Sequence, residues 1–345
     1  MNVGVVGATG YSGVELYRLL ANHPEVEMCN VYSSSLDKVA YMEIFPHLQE
    51  ISGEQIKAIN AEEMKKELDV VFLATPSGIS KELVPKLIGS KAKVIDLSGD
   101  LRLKTPGEYE KWYGKNPASA ALLDDAVYGL SEWNQQAIKK ADVVANPGCY
   151  PTASLLGLAP LVNSQEIKPQ SVIIDAKSGL SGAGKKASLT SSFAESQENL
   201  RIYKVHQHQH IPEIEQQLQW WSGKKEKITF STHLVPMTRG IMATMYVELL
   251  KDWNTESLRD YYQSIYERSP FVRVRKKGSF PSTRDVYGSN YCDIAVELDE
   301  RTNRVTIVSV IDNLLKGAAG QAVQNMNLMF GLEETTGLTQ FPIYP

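Results

Sequence analysis

One cysteine of the chain stands where a nucleophile would be favoured. Cys149 follows a Pro-Gly pair after a short apolar run and precedes an apolar helical pattern over residues 153–162, with Pro151 suited to a first helical turn. A thiol at or just before a helix N-cap has a lowered pKa, because unsatisfied N–H groups and the helix dipole stabilise the thiolate. We therefore predict that Cys149 is a nucleophile. Cys29 and Cys292 lie within apolar strand-like runs and are predicted to fill the core.

Three alternating histidines, His206, His208 and His210, allow two interpretations. On a strand they would point the same way and could bind a metal, as in a metalloprotein. A proline two residues after His210 and a helical pattern from Glu213 would, however, end that strand by His210. In the second interpretation His210 is the general acid or base that serves Cys149, and Glu213 holds its ring. We favour the second interpretation and predict no metal site.

A glycine-rich turn lies at the start of the chain. Gly7, Gly10 and Gly13 separate the apolar run Asn2–Val6 from a helical pattern, and a second strand follows about 30 residues into the chain. In this context glycines permit a tight turn, a close approach to a diphosphate and close packing of helix on strand. The spacing is GxxGxxG, and its position in the first strand-helix unit favours a dinucleotide site.

Hydroxyl groups stand where an NAD-binding unit would carry a carboxylate. Ser33, Ser34 and Ser35 follow the second predicted strand. A carboxylate there would repel a 2′-phosphate, whereas hydroxyls can donate hydrogen bonds to it. The sequence therefore favours NADP(H) as the cofactor.

Composition sets the outer limits of these predictions. The chain has 345 residues, which favours two domains, and its 36 basic and 40 acidic residues give a net charge of −4. That charge does not favour a nucleic-acid binder. No run of about 18 apolar residues or signal-peptide pattern is present, so we predict a cytoplasmic protein without a membrane span. Three distant cysteines suggest neither a disulfide framework nor a thiolate zinc site.

The elements that position these residues alternate between strand and helix in the first half of the chain. This pattern predicts a parallel α/β sheet. We expect the sheet to belong to a Rossmann-type NADP-binding domain that comprises residues 1–148 and, after the second domain, residues 313–345. Residues 149–312 are predicted to form an α+β domain with a mixed sheet. Predicted strands, in chain order, are 2–6, 26–31, 69–74, 93–97, 142–145, 171–175, 228–236, 244–250, 292–298 and 304–310; predicted helices lie near 61–67, 79–89, 153–162, 213–221 and from 313.

Nine motifs in register resemble those of the N-acetyl-γ-glutamyl-phosphate reductase family, from the first strand to the last helix. They are GATGYSG at 7–13, ATPSG at 74–78, DLSGDLRL at 96–103, YGL at 128–130, NPGCYPT at 146–152, SGLSGAG at 178–184, HxHxPE at 208–213, PMTRG at 236–240 and DNLLKGAAGQAVQN at 312–325. Two local departures are Ser131, where proline is usual, and the absence of an arginine at Ser33–Ser35.

The resemblance implies a semialdehyde dehydrogenase or glyceraldehyde-3-phosphate dehydrogenase-like fold and a step of arginine biosynthesis. In that step NADPH reduces N-acetyl-glutamyl 5-phosphate to the 5-semialdehyde and phosphate through a Cys149 thioester. It also implies a homodimer or homotetramer. Alternatives are aspartate-semialdehyde dehydrogenase, a LysW-aminoadipyl-phosphate reductase, and a non-enzymatic NADP-binding sensor, which would have no use for Cys149 or His210.

Residue roles carried over from the matching motifs complete the predicted site. Arg102 would bind the substrate phosphate and Arg239 another part of the acyl phosphate substrate. Asn313 would hold the nicotinamide carboxamide, and Gly317 would let backbone approach the ring. The other implied cofactor contacts are Thr9, Tyr11, Ser12, Ala74, Pro76, Ser178 and Gly179.

Overall fold

The computed structural model describes residues 1–344, apart from the side chain of Pro169, and the last residue of the predicted range 313–345 lies outside the described residues. The strands are β1 (Asn2–Val6), β2 (Met28–Ser33), β3 (Lys57–Ala58), β4 (Val70–Leu73), β5 (Lys93–Asp96), β6 (Val127–Tyr128), β7 (Val143–Ala145), β8 (Ile173–Gly179), β9 (Arg201–Tyr203), β10 (Thr229–Val235), β11 (Ile241–Glu248), β12 (Val272–Val274), β13 (Cys292–Asp299) and β14 (Arg304–Ile311). The α-helices are α1 (Tyr11–Leu20), α2 (Tyr41–Ile44), α3 (Ala61–Glu67), α4 (Ser80–Leu87), α5 (Glu108–Tyr113), α6 (Ala120–Asp125), α7 (Ser131–Ile138), α8 (Cys149–Asn163), α9 (Phe193–Ser196), α10 (His210–Ser222), α11 (Thr255–Tyr266) and α12 (Gly320–Met329).

Two compact units make up the chain. Unit 1 comprises Met1–Pro147 and Ala318–Thr339, and unit 2 comprises Gly148–Gly317 together with the described residues from Gln340 onward. The second boundary differs from the predicted one. Asn313 is held by the backbone N–H of Gly240 and by Ser181, and the N–H of Ile343 donates to Tyr287, so hydrogen bonds tie these residues to unit 2.

Unit 1 contains a parallel sheet of seven strands in the order β3-β2-β1-β4-β5-β7-β6. The strand order reverses at β1 and β4, which are paired, and ligands of open α/β sheets bind at such a point beyond the carboxyl ends of the strands. Buried aliphatic side chains of β4 and β5, such as Leu73 and Val94, pack against Leu83 and Leu87 of α4. The predicted α/β fold of the first domain is confirmed.

Unit 2 contains a mixed sheet in the order β12-β13-β14-β11-β8-β10-β9. Side chains alternate in burial along β11, as expected for a strand with one face covered. On the covered side, α8 is buried over 13 of its 15 residues, and a Cβ at Gly157 of this helix would lie 2.4 Å from Cε of Met245 on β11. Close packing of α8 on the sheet therefore fixes the start of this helix.

Every predicted strand is present, with ends that differ by up to four residues at Ile173–Gly179. The short strands β3, β6, β9 and β12 were missed. The helix predicted to begin at 313 instead begins with a π-helical turn at Leu315–Ala319, and α12 follows. Within residues 1–344, none of the helices is both long and apolar enough to cross a membrane.

Candidate active site

The glycine turn of unit 1 is packed too closely for side chains at two of its positions. Gly7 has φ = +81°, and a Cβ on it would lie 2.4 Å from the carbonyl oxygen of Ala74. A Cβ on Gly13 would lie 2.4 Å from the carbonyl oxygen of Gly7. These contacts give Gly7 and Gly13 the roles in turn and packing that the sequence predicted.

The helix that follows this turn begins without a side-chain cap. Gly10 is the N-cap residue of α1, and the first turn, which contains Tyr11 and Ser12, carries no acidic residue. A Cβ on Gly10 would meet only the carbonyl oxygen of Gly7, at 3.5 Å, so the outer side of the turn is open. Thr9 lies in the same turn and is partly buried. An uncapped helix N-terminus behind an open glycine turn fits the diphosphate of a dinucleotide.

A second loop borders this turn at the carboxyl end of β4. Ala74 donates its N–H to Val6, and Pro76 is exposed. The loop is fastened by Asp100, whose carboxylate accepts the N–H of Gly78 at 2.7 and 2.8 Å and that of Lys81 at 3.2 Å. Tyr109 donates its hydroxyl to the same carboxylate at 2.6 Å. Asp100 therefore holds the loop that contains two of the predicted cofactor contacts.

The serine cluster lies where the sequence predicted, at the end of β2. Ser33 is the last residue of that strand, and its hydroxyl accepts the N–H of Ser35 at 3.2 Å and lies 3.3 Å from the Ser35 hydroxyl. Ser35 itself is exposed. The hydroxyls thus stand at the sheet edge where a dinucleotide ribose is bound in Rossmann-type folds.

Arg102 is buried in unit 1, with 5% of its surface exposed. Its Nε donates to the carbonyl oxygen of Asn146 at 2.8 Å, and one Nη donates to that of Leu97 at 2.9 Å. It therefore connects the segments that follow β5 and β7, a positioning task that the sequence did not predict. Binding of a phosphate by the same guanidinium stays a prediction.

Cys149 is the first residue of α8, one position after the N-cap, whereas the sequence predicted it at or just before the N-cap. Gly148 is the N-cap, no side chain caps the helix, and its first turn has no acidic residue. The helix start therefore favours a thiolate at Cys149, which is partly exposed. The N–H of Gly148 donates to the Glu213 carboxylate at 2.8 Å, and Glu213 has no exposed surface.

The Glu213 carboxylate makes one contact that the sequence did not predict, to the backbone N–H directly before Cys149. Its predicted role of holding the His210 ring stays a prediction. Glu213 reaches this backbone because it lies in the first turn of α10, with its side chain packed inside unit 2. It therefore positions the nucleophile's loop.

His210 lies directly against that loop. A Cβ on Gly148 would be 2.4 Å from Nε2 of His210, so only glycine leaves room for the imidazole at this position. His210 is the first residue of α10 and is 8% exposed. The structure thus brings together Cys149, His210 and Glu213, the three predicted catalytic residues, around Gly148.

The alternative with three histidines on one strand is wrong. Strand β9 ends at Tyr203, and a turn follows in which His206 is exposed with φ = +55°. His208 and His210 are buried instead. Among residues 1–344 there is no group of three or more His, Cys, Asp or Glu side chains that could hold a metal ion.

The π-helical turn Leu315–Ala319 lies close to the nucleophile. Gly317 donates its N–H to the carbonyl oxygen of Asp312, and a Cβ on Gly317 would lie 2.8 Å from Cβ of Cys149. Such turns frequently occur at functional sites. Gly317 therefore approaches Cys149 closely, whereas its predicted approach to the nicotinamide ring stays a prediction.

The remaining predicted residues of unit 2 surround one loop. Gly179 ends β8, its N–H donates to Gly240, and the hydroxyl of Ser178 donates to the Gly179 carbonyl oxygen. Asn313 accepts the N–H of Gly240 at 2.8 Å and donates to Ser181 at 2.9 Å. These two bonds fix the Asn313 side chain, and its amide keeps one N–H and one lone pair for a further partner. Binding of the nicotinamide carboxamide by Asn313 stays a prediction.

Arg239 lies on the same loop. Its guanidinium is 3.8 Å from a carboxylate oxygen of Asp312, which has no exposed surface, whereas the Arg239 side chain is about one-fifth exposed. Asp312 is in turn fixed by the N–H groups of Gly288, Leu314 and Leu315. A rigid carboxylate thus orients a partly exposed guanidinium, as a substrate-binding arginine requires.

The two other cysteines are buried, as predicted. Burial raises the pKa of the Cys29 thiol to about 12, so this residue stays a thiol at physiological pH. The Cys292 sulfur lies 3.3 Å from the Ser309 hydroxyl. Neither has the exposure or helix-start environment of Cys149.

Several residues of the site were missed by the sequence prediction. Gly148 and Asp100 both lie in motifs that were recognised, but the sequence gives no signal that Gly148 faces an imidazole or that Asp100 accepts four hydrogen bonds. Tyr150 and Tyr203, with hydroxyls 3.1 Å apart, come from distant parts of the chain. Contacts of this kind depend on tertiary packing, and only the order of strands in the sheet could have indicated them.

Two family models match successive parts of the chain. A semialdehyde dehydrogenase NAD-binding domain matches residues 2–141, and a semialdehyde dehydrogenase dimerisation domain matches residues 149–313. Solved structures share the fold at low identity. Aspartate semialdehyde dehydrogenase II from Vibrio cholerae, complexed with ASA, has a TM-score of 0.72 at 18% identity and covers 96% of this chain and 98% of its own.

A second structure, aspartate semialdehyde dehydrogenase with NADP from Candida albicans, has a TM-score of 0.68 at 15% identity, covering 95% of this chain and 98% of its own. Full-length relatives are far more similar in sequence. N-acetyl-γ-glutamyl-phosphate reductases from Geobacillus sp. (strain WCH70) and Bacillus subtilis (strain 168) are 59% and 58% identical over 345 residues, with all of each chain covered. The chain therefore belongs to the N-acetyl-γ-glutamyl-phosphate reductase family, within the semialdehyde dehydrogenases.

Proposed function

We propose that this protein reduces N-acetyl-glutamyl 5-phosphate to N-acetyl-glutamate 5-semialdehyde, with release of phosphate, as a step of arginine biosynthesis. One observation carries the proposal. Cys149 begins a helix without an acidic residue or a side-chain cap at its start, and the backbone just before it is packed against the imidazole of His210. A stabilised thiolate beside a histidine suits acyl transfer to sulfur.

In the first half of the reaction the Cys149 thiolate attacks the acyl carbon. A bond forms between sulfur and carbon, the bond from carbon to the phosphate oxygen breaks, and phosphate departs with its electron pair. The product is a thioester on Cys149. The energy of the acyl phosphate drives this half, so no ATP is consumed.

In the second half a bound NADPH would supply a hydride, which carries the two electrons needed to reduce the thioester to the aldehyde level. His210 donates a proton to the developing alkoxide and accepts it again as the aldehyde forms. The carbon-sulfur bond then breaks, and the electron pair returns to Cys149 as thiolate. Sulfur suits both halves, because a thiolate attacks well and also leaves readily.

Glu213 and Gly317 keep the nucleophile in place during both halves. The Glu213 carboxylate holds the Gly148 N–H at 2.8 Å, and Gly317 packs against the Cys149 side chain. Neither of these contacts requires the substrate. The site is therefore organised before binding, which lowers the cost of reaching the transition state.

NADP(H) is the cofactor that we propose for unit 1. The turn at Gly7, Gly10 and Gly13 with the uncapped start of α1 would hold the diphosphate, and Ser33 and Ser35 would donate to the 2′-phosphate. The neighbouring loop would border the adenosine or nicotinamide half through Ala74 and Pro76. Further proposed contacts are Thr9, Tyr11, Ser12, Ser178, Gly179, Asn313 and Gly317.

For the substrate we propose Arg102 as a ligand of the phosphate and Arg239 as a ligand of a carboxylate. The fixed Asp312 carboxylate lies beside the Arg239 guanidinium and orients it, which supports this role. We further propose that residues 149–312 carry catalysis and assembly into a homodimer or homotetramer, and that the protein works in the cytoplasm.

The proposed function is tested by the reverse reaction. Purified protein is supplied with NADP, phosphate and N-acetyl-glutamate 5-semialdehyde, and NADPH formation is followed by absorbance; aspartate semialdehyde and NAD are the comparison substrates. We expect turnover with the N-acetylated substrate and NADP, and little with either replacement. Faster turnover of aspartate semialdehyde would overturn the substrate assignment.

The roles of the histidines are tested by a matched pair of variants. His210→Asn is expected to lower kcat by about 100-fold or more, because it removes a general acid. His206→Asn, on the exposed turn, is expected to retain nearly all activity. Equal losses in the two variants would contradict the role given to His210.

A further inference from the structure

We propose that His208 is a positioning residue that fixes the catalytic imidazole by accepting the backbone N–H of His210. The inference rests on the proposed function, since it presumes that His210 serves Cys149. It gives the two buried histidines of the HxH motif different tasks, one in proton transfer and one in placement.

The hydrogen bond at the start of α10 carries the inference. The first N–H groups of a helix have no partner within the helix, and His210 is the first residue of α10. The side chain of Gln209, the N-cap residue, does not cap the helix. Instead Nδ1 of His208 accepts the His210 N–H at 3.1 Å, in a buried environment. His208 therefore fixes the backbone from which the His210 side chain projects.

The His208 ring is itself held by aromatic side chains from three elements. Its centroid lies 5.3 Å from that of Tyr150 on α8, 5.7 Å from that of Tyr203 on β9 and 5.7 Å from that of Phe230 on β10, each in an edge-on arrangement. Only 4% of His208 is exposed. A ring packed on several sides cannot change rotamer without moving one of these elements, so the acceptor atom stays in place.

Burial also keeps the acceptor in the right protonation state. Desolvation, with a smaller effect of the Lys204 charge, lowers the pKa of His208 to about 3. The ring is therefore neutral at physiological pH, and a neutral imidazole has one acceptor nitrogen and one N–H. Because Nδ1 accepts from His210, the proton is on Nε2.

The contact reaches the nucleophile through a short series of packed groups. His208 holds the backbone of His210, and the His210 ring lies against Gly148, which directly precedes Cys149. The ring centroids of His208 and His210 are 4.7 Å apart, so the imidazole of His210 is also packed on its neighbour. Loss of the His208 acceptor should therefore displace the imidazole while leaving Cys149 and the substrate ligands in place.

Two substitutions separate the hydrogen bond from the packing. His208→Asn places an amide oxygen close to the position of Nδ1 and keeps the acceptor, whereas His208→Phe keeps the ring and removes the acceptor. We expect His208→Phe to lower kcat by about 10- to 100-fold, the effect of a small misplacement of a catalytic group, with KM changed by no more than about threefold. His208→Asn should retain kcat within about threefold of the unsubstituted protein.

The measurement is the reverse assay with N-acetyl-glutamate 5-semialdehyde, together with thermal unfolding of each variant. If His208→Phe does not fold, His208→Gln replaces it, since its amide oxygen lies one bond further from the backbone and misses the His210 N–H. Wild-type kcat in the Phe or Gln variant would overturn the inference, as would equal losses in the Asn and Phe variants. Absence of activity in the unsubstituted protein would refute the proposed function instead.

Discussion

Substitution of Gly148 by alanine adds one methyl group between the nucleophile's loop and the catalytic imidazole. Gly148 has φ = −67° and ψ = 157°, which alanine adopts without strain, so the backbone itself does not resist the change. The new Cβ, however, would lie 2.4 Å from Nε2 of His210 and 2.7 Å from Cε1. The whole effect of Gly148→Ala is therefore steric and acts on His210.

The size of the effect follows from this contact. Ordinary van der Waals contact for a Cβ begins at 3.4 Å, so the imidazole or the loop must move by about 1 Å. His210 is buried and cannot swing into solvent. A misplacement of about 1 Å at a catalytic group costs roughly 100-fold in rate, which is about 2.7 kcal/mol of transition-state stabilisation.

The assay is steady-state NADPH formation in the reverse direction, with kcat and KM measured separately. Gly53→Ala is the matched control, because a Cβ at this exposed position meets no atom within 4 Å. We expect Gly148→Ala to lose about 100-fold in kcat, while Gly53→Ala matches the unsubstituted protein. A fully active Gly148→Ala variant would refute the placement of His210 against the nucleophile's loop.

Three further predictions concern the cysteines, the loop of unit 1 and the π-helical turn. Brief treatment of the native protein with iodoacetamide near pH 8 should alkylate Cys149 alone and stop turnover, because burial keeps Cys29 a thiol with a pKa of about 12. Peptide mass spectrometry measures the labelling, and equal labelling of Cys149 and Cys29 would contradict this prediction. Asp100→Ala removes the acceptor of four hydrogen bonds, so we expect it to lower the free energy of unfolding by about 3 kcal/mol and to raise the KM for NADP. Asp142→Ala, at an exposed carboxylate, is the control and should change neither quantity. Denaturant titration measures the first effect and steady-state kinetics the second. Gly317→Ala, whose Cβ would lie 2.8 Å from that of Cys149, should lower both kcat and the rate of Cys149 alkylation, and an unchanged alkylation rate would contradict the contact.

The parts of the site that follow from local sequence were predicted well. The glycine turn, the serines at the end of β2 and the helix start at Cys149 each depend on a few neighbouring residues, whose pattern specifies a strand, a turn or a helix. The parallel sheet also follows, because alternation of strands and helices permits few other arrangements.

Residues whose partners are distant in sequence were predicted less well. The Glu213 carboxylate bonds to Gly148, 65 residues away, and Asn313 bonds to Gly240, 73 residues away. Arg102 donates to the carbonyl oxygen of Asn146, 44 residues away, a contact that the sequence did not indicate, and its assignment to the substrate phosphate stays a prediction. Side-chain type indicates what a residue can bind, but the partner is decided by which strands lie side by side.

The histidine segment illustrates the same limit in a single stretch of chain. Alternation of His206, His208 and His210 is compatible with a strand, but His210 instead begins a helix and His208 lies within an aromatic cluster. The proline two residues after His210 indicated the helix, whereas nothing in the local sequence indicated Tyr150 or Phe230 as neighbours.

The covalent intermediate is the most direct test of the central claim. Protein without NADPH is mixed with N-acetyl-glutamyl 5-phosphate, and phosphate release and intact mass are followed during the first turnover. We predict a burst of one phosphate per chain and a mass increase of one N-acetyl-glutamyl group on the peptide that contains Cys149, both absent in Cys149→Ala. Phosphate release without acylation of Cys149, or the same adduct in Cys149→Ala, would contradict the thioester mechanism.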